Sequence, residues 1–329
     1  MVDRVLLDPG PAISDTAFQA FDVPDGFEAH RFPASIGEGY PAGDGTTSSA
    51  GGKSRVRGAP AERIVVLRSR TRKSLLEAGA QDPRALASGP FVDGWLDGGR
   101  TRHPIIRFGD QEWVLKAYRR GGLVREWNTA RYWGYGRFLE ELRVASTAER
   151  EDVPTPEVLA LVFEPAGLGS LRSWILTRYI GGARPIHQFV GHEADRAVFR
   201  RAGEVVARMH GAGIDHPDLH LGNIVGTIDD DGALQVYIVD WDRAHCRDDG
   251  SWNPHGNLFR LWRSVEKRRR RGLFQEVAAA NDVVISRCLR SFVHGYFGRD
   301  AVSLRRARSL VRRKALWLGL RTWYWSSRR

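Results

Sequence analysis

Cysteine is nearly missing from this sequence: Cys246 and Cys288 are the two present in 329 residues, too far apart for any metal-ligand spacing. That excludes a disulfide-stapled scaffold and a cysteine-based zinc fold, and it fits a reducing compartment. No apolar run approaches the roughly 18–20 residues of a membrane-spanning helix. The first residues, MVDRVLLDPGPAISD, have no basic start followed by an apolar stretch. No secretory signal is expected, and the cytoplasm is the expected compartment. Repeats at solenoid periods are absent as well. Acidic residues are in deficit, 39 against 50 Lys and Arg, which leaves a net charge of +11. A field of that sign favours an anionic partner: nucleic acid, anionic lipid, or a phosphorylated or carboxylated substrate.

What is present is laid out unevenly. Hydrophobic residues make up 42% of the chain and charged residues 27%, enough for a sizeable core in two lobes. Residues 41–60 are rich in Gly, Ser, Thr and Pro and read as a mobile loop. Strand-like runs flank it, FEAHRF before and RIVVLRS (63–69) after, and 74–87 read as short helical pieces. HPIIRFG (103–109) and EWVLKAY (112–118), joined through FGDQ, read as a hairpin. Helical spacing over 125–150 puts Phe138, Leu142 and Ala145 on one face, and VPTP (153–156) ends it. Two more strands follow, at 157–165 and 173–180. After Gly181 and Gly182 the character changes. Residues 193–213 form an amphipathic helix with Val198, Ala202, Val205, Val206 and Met209 on one face, stopped by Gly211 and Gly213. The expected layout is a β-rich N-terminal lobe over 1–180 and an α-rich C-terminal lobe over 181–329.

Phosphoryl transfer from ATP asks for a carboxylate facing the attacking hydroxyl, oxygen ligands for Mg²⁺ and a cation on the phosphates. In HPDLHLGNIV (216–225), Asp218 and Asn223 have the D-x-x-x-x-N spacing of a kinase catalytic loop. Asp218 is then the base and Asn223 a metal ligand. His216 is expected as a brace, and His220 to contact phosphate or sugar. Asp240 ends the run LQVYIVD and is the second expected metal ligand. Oxygen ligands of this kind suit Mg²⁺ and not zinc. Lys116, in WVLKAY, is placed to reach the α- and β-phosphates. Glu141 is its expected ion-pair partner, with adjacent Glu140 as the alternative. Thr177 and Tyr179 fall on the nucleotide side. DGGRTRH (97–103) is the candidate phosphate-covering loop, through Gly98 and Gly99, although it has no G-x-G-x-x-G. Singly, each feature has an ordinary reading: a strand-ending Asp is often a turn residue, and a lone strand Lys usually faces solvent. Their order and spacing together point to an α+β, protein-kinase-like fold that uses ATP and Mg²⁺.

Several segments carry a narrower likeness: VLKAYRRGGLV, VPTPEV, ILTRYIGGA, VARMHGAGIDHPDLHLGNIV, VYIVDWDRA and NLFRLWRSVEK, spanning about residues 114–267. With these the chain resembles the lipopolysaccharide kinase family, and within it the 3-deoxy-D-manno-octulosonic acid (Kdo) kinases. YRRGG after the Lys strand and the D-x-D-R turn are its specific parts. The resemblance implies ATP-dependent phosphorylation of Kdo on a lipid A precursor, with Asp218 as base, Asn223 and Asp240 on the metal, and Lys116 on the nucleotide. A heptose kinase of the same family, or a phosphotransferase of the aminoglycoside or choline type, is the alternative. A binding module on a degenerate kinase scaffold is a third reading, opposed by the presence of Lys116, Asp218, Asn223 and Asp240 together.

A Kdo–lipid A acceptor carries carboxylates and phosphates. Arg119, Arg120 and Arg243, with Arg260 and Arg263 behind them, are the candidates to hold it, because guanidinium forks match such groups. No nucleic-acid partner is expected. KRRRRG (267–272) and the tail from Leu304, which has no acidic residue and mixes Arg with Trp and Leu, suit an anionic membrane surface. The expected location is the cytoplasmic face of the bacterial inner membrane.

Overall fold

The computed structural model describes residues 22–33, 62–97, 101–119, 131–247, 254–272 and 282–298. The loop read at 41–60, Gly98, Gly99, Arg120 and the tail from Leu304 lie outside the described residues. The chain divides into two compact units: one runs through Tyr135 and includes Val158–Tyr179, the other holds Gly136–Glu157 and the chain from Ile180. The architecture is α+β, β-rich first and α-rich second, as the sequence led us to expect.

In the first unit the strands are β1 (Phe27–Pro33), β2 (Glu62–Arg68), β3 (Val92–Asp97), β4 (Arg102–Phe108), β5 (Gln111–Ala117), β6 (Val158–Gly167) and β7 (Ser170–Arg178). Among the described residues these seven form one antiparallel sheet in the order β1-β2-β6-β7-β5-β4-β3. Sequence explains the order of burial. β6, next to the central β7, opens with the apolar run VLALVF, and β2, second from the edge, carries IVVL; both runs are buried on both faces. β3, which pattern reading missed, alternates half-buried and exposed positions, as an edge strand does. The β4–β5 hairpin turns at Gly109, whose φ of +62° places the glycine where a tight hairpin needs one. Short helices α1 (Arg72–Glu77) and α2 (Pro83–Ser88) cover one face, and Leu75 and Leu86 join Leu67, Trp113, Leu115 and Leu176 in the core.

The second unit holds α3 (Gly136–Arg150), α4 (Asp195–Gly211), α5 (His255–Arg270) and α6 (Asp282–Phe297). Short strands β8 (Arg184–Pro185), β10 (Ile224–Ile228) and β11 (Leu234–Ile238) form one small sheet, and β9 (Ile214–Asp215) pairs with β12 (His245–Cys246). α3 is shorter than the helical spacing suggested. It begins at Gly136, because Gly134 takes a left-handed φ of +79° and Tyr132 bridges to Leu171 in extended form. On α4 the expected face is the buried one, with Val198, Ala202, Val205, Val206 and Met209 inaccessible to solvent. Lys267–Arg270 of KRRRRG form the last turn of α5 and Arg271 caps it, so that cations face the helix carbonyl end.

α4 and α6 cross backbone to backbone. A Cβ on Gly203 would lie 2.1 Å from the Phe292 carbonyl oxygen, and one on Gly295 would lie 1.9 Å from that of Arg200. Helix propensity alone favours Gly→Ala by about 1 kcal/mol. Here the sign reverses: Gly203→Ala and Gly295→Ala should each lower stability, by about 1–3 kcal/mol for an overpacked contact, read as a lower urea midpoint.

Candidate active site

The loop His216–Asn223 lies between β9 and β10, and its last residue is the most firmly held. Asn223 Nδ2 donates to the Asp218 carbonyl at 3.1 Å. Its N–H donates to the His220 carbonyl at 2.9 Å, and its own carbonyl accepts from the Val239 N–H at 3.0 Å. With Nδ2 engaged inside the loop, Oδ1 is the atom left for a ligand. The Val239 bond brings the following residue, Asp240, beside Asn223. Asp240 has φ of +67°, a left-handed conformation that strains a non-glycine residue and clusters at functional sites.

Asp218 and Asp240 are exposed, and among the described residues neither carboxylate has a hydrogen-bond or ion-pair partner. Both act on the buried ring of His216 between them. Burial pushes the His216 pKa down, opposed by its bond to Val239 and by the two carboxylates. The ring sits 5.4 Å from the Trp241 ring, and Nε2 reaches the Val239 carbonyl at 3.5 Å. His216 is thus a neutral brace. His220 accepts the Gly222 N–H on Nδ1 at 3.0 Å, which leaves Nε2 as its protonated nitrogen.

The second aspartate of Asp240-Trp241-Asp242 has other work. Arg137, at the start of α3, grips Asp242 with two hydrogen bonds, one of them Nε to Oδ1 at 2.7 Å. Trp241 Nε1 donates to Thr155 Oγ1 at 2.8 Å. The turn is fastened on both sides and Asp240 is left as its open carboxylate. Asn223 Oδ1 and the Asp240 carboxylate are oxygen donors of the kind that suits Mg²⁺, which typically takes one or two protein carboxylates and fills its octahedron with phosphate oxygens and water. Among the described residues no group of three or more His, Cys, Asp or Glu forms a fuller metal cage.

Beneath the loop lies a buried network that sequence reading missed. Asn257, on α5, accepts the His216 N–H on Oδ1 at 2.9 Å and donates from Nδ2 to Asp215 Oδ1 at 2.7 Å. Its Oδ1 also lies 3.3 Å from His210 Nε2, and His210 Nδ1 lies 2.7 Å from the Tyr296 hydroxyl. The directions agree with one tautomer: Tyr296 donates to Nδ1, and Nε2–H donates to Asn257. Asp215 also receives Arg247 at 3.2 Å and His245 at 3.3 Å. Burial alone would raise its pKa, yet the bonds from Asn257 and Arg247 hold it below the usual carboxylate value. The available signal was an Asn near the start of a helix in GNLFRLW, too common to single out.

The remaining predicted residues divide by unit. Lys116 is half-buried in β5, opposite Ile175 of β7, and shares a sheet face with Val114 and Thr177. Tyr179 donates its N–H to the Glu112 carbonyl and is the last residue of the first unit. Arg119 is exposed there. In the second unit, Glu141 is the buried glutamate of α3, while Glu140 meets Arg143 at 3.5 Å on the surface. Arg243 is exposed, two residues after Trp241 in the same turn, with φ of +67°. Arg260 and Arg263 are exposed on α5.

Residues 95–283 match the model of the lipopolysaccharide kinase (Kdo/WaaP) family. A 3-deoxy-D-manno-octulosonic acid kinase of Xylella fastidiosa (strain M23) is 31% identical over 204 residues, 57% of this chain and 79% of that protein. The protein of the same name from Vibrio parahaemolyticus is 29% identical over 174 residues, 51% of this chain and 71% of that one. Among solved structures, WaaP in complex with acyl carrier protein aligns with a TM-score of 0.48 at 18% identity, covering 77% of this chain and 98% of that one.

Asn257→Asp keeps the shape but replaces the donor to Asp215 with a second carboxyl. It should destabilise the protein by on the order of 3 kcal/mol at pH 8, measured by urea unfolding. A pH dependence follows from the histidines. Burial pushes His210 and His187 down to about 4, from 6.5 when unfolded. Their stabilisation is complete above pH 6.5 and is lost as pH falls toward 4, because the unfolded chain takes up protons first. Unfolding free energy measured at pH 7, 6 and 5 should therefore fall at each step.

Proposed function

The chain belongs to the lipopolysaccharide kinase (Kdo/WaaP) family, and from that premise we propose that it transfers the γ-phosphoryl group of ATP to a hydroxyl of Kdo on a lipid A precursor. Asp218 receives the hydroxyl proton as the oxygen–phosphorus bond forms and ADP departs. Asn223 Oδ1 and Asp240 would hold Mg²⁺, which supplies charge neutralisation between the phosphates. Lys116, with Glu141 as its partner, steadies the nucleotide phosphates, and Thr177 and Tyr179 flank the nucleotide. Arg119, Arg120, Arg243 and His220 receive the acidic sugar and its phosphates. The single observation that supports the reading is the Asp218–Asn223–Val239 hydrogen-bond chain, which links the loop of Asp218 and Asn223 to the strand end of Asp240. The acceptor is a membrane lipid, so we place the enzyme at the cytoplasmic face of the inner membrane, with the basic aromatic tail from Leu304 as one anchor.

The test is phosphate transfer from radiolabelled ATP by the purified chain to Kdo–lipid A and, in parallel, to heptosylated core. Label on Kdo, at least tenfold faster than on heptose, is the expected result; the reverse preference would assign a heptose kinase. Asp218→Ala should lower kcat by on the order of 10³-fold, and Asp240→Ala should do as much. Full turnover by Asp218→Ala would remove the proposed base.

A further inference from the structure

The turn joining β6 to β7 holds a leucine that neither its backbone nor its packing explains. Gly167, Leu168 and Gly169 all have positive φ, of +82°, +52° and +68°. The left-handed region suits the two glycines and strains the leucine between them. Leu168 is 93% exposed, so it recovers nothing by burial. The turn is well fixed, since Ser170 Oγ donates to the Gly167 carbonyl at 2.5 Å. A rigid, strained, fully exposed apolar residue has value where it meets something outside the chain.

Its surroundings define the chemistry. Leu171 exchanges backbone hydrogen bonds with Tyr132, which sets Trp133 near the same end of the sheet, and Trp133 is 62% exposed. Ser173 accepts the Tyr118 N–H, which brings exposed Arg119 to that end, and Arg131 precedes Tyr132. Arg172 lies there as well, but its guanidinium is engaged by Glu164 at 3.6 Å. The carboxylates nearby are already matched: Glu164 is buried under Arg63 and Arg84, and Glu62 meets Arg31 at 3.7 Å. Two protruding apolar side chains beside the exposed guanidiniums of Arg119 and Arg131 complement an anionic lipid surface, where the leucine and tryptophan enter the headgroup layer and the guanidiniums meet phosphates.

We propose that the β6–β7 turn, through Leu168 with Trp133 beside it, docks the first unit on an anionic phospholipid bilayer. This rests on the reading of the chain as a peripheral membrane enzyme, but not on Kdo as its acceptor, and it is separate from the tail. The test is flotation of the full chain with vesicles of phosphatidylethanolamine and phosphatidylglycerol, and with phosphatidylcholine alone. Leu168→Gly relieves the backbone strain, so its Tm should equal or exceed that of the parent chain. Its partitioning onto anionic vesicles should fall about tenfold, the scale of losing one inserted leucine side chain. Trp133→Ser should also weaken flotation, and the parent chain should favour anionic over neutral vesicles. Equal flotation of Leu168→Gly and the parent chain would overturn the docking turn while leaving membrane attachment intact. Failure of the parent chain to float would overturn both. Concentration-dependent self-association that Leu168→Gly abolishes, without flotation, would make the turn a protein interface instead.

Discussion

The loop His216–Asn223 depends on one buried amide. Asn257 supplies a single oxygen that receives the His216 backbone and the His210 ring, and a single NH₂ that reaches Asp215. Through it α5 holds the loop, α4 contributes His210, and α6 contributes Tyr296. An aspartate at this position could accept the same backbone bond, but it would face another carboxylate in a water-poor space. The amide is the group of that size that can accept from one side and donate to the other. An unsatisfied member would be costly there, so the network specifies one arrangement of loop and helices.

Above that floor, charge is sorted. The histidines under the loop are kept neutral by burial, while Asp218 and Asp240 remain open to solvent. Asp242 is neutralised by Arg137, which ties the start of α3 to the turn that carries Asp240. Asp218 and Asp240 thus stand as open carboxylates, one on the braced loop and one on the braced turn. Such preorganisation is what phosphoryl transfer demands, because its catalysis is largely positioning and electrostatics.

Much of this was legible in the sequence, for identifiable reasons. Local patterns fixed the β4–β5 hairpin, the β6 and β7 runs and the apolar face of α4, because period and turn chemistry act over a few residues. Asp218, Asn223 and Asp240 could be singled out by spacing, since they sit on one loop and at one strand end, and the structure ties that loop to that strand end through the Asn223–Val239 bond. The start of α3 was misjudged because the helical spacing continues through a stretch where Gly134 turns the backbone away and Tyr132 is drawn into a bridge with Leu171. Asn257, Asp215 and the Arg137–Asp242 pair were invisible because their meaning lies in partners far along the chain. Edge strand β3 was missed because its VDGWLD alternation includes a glycine and two acids, which propensity reads as loop.

The glycine crossing of α4 and α6 has a consequence for how the family can diverge. Where backbone meets backbone, the spacing of two helices no longer depends on side-chain volume at the crossing. Substitutions elsewhere on the α6 face can then change size without pushing α4 sideways. Since α4 runs directly into the strand that carries Asp215, the loop is insulated from drift in the hydrophobic layer behind it. The two glycines act as a fixed ruler, and mutational tolerance around them is the return on their own intolerance.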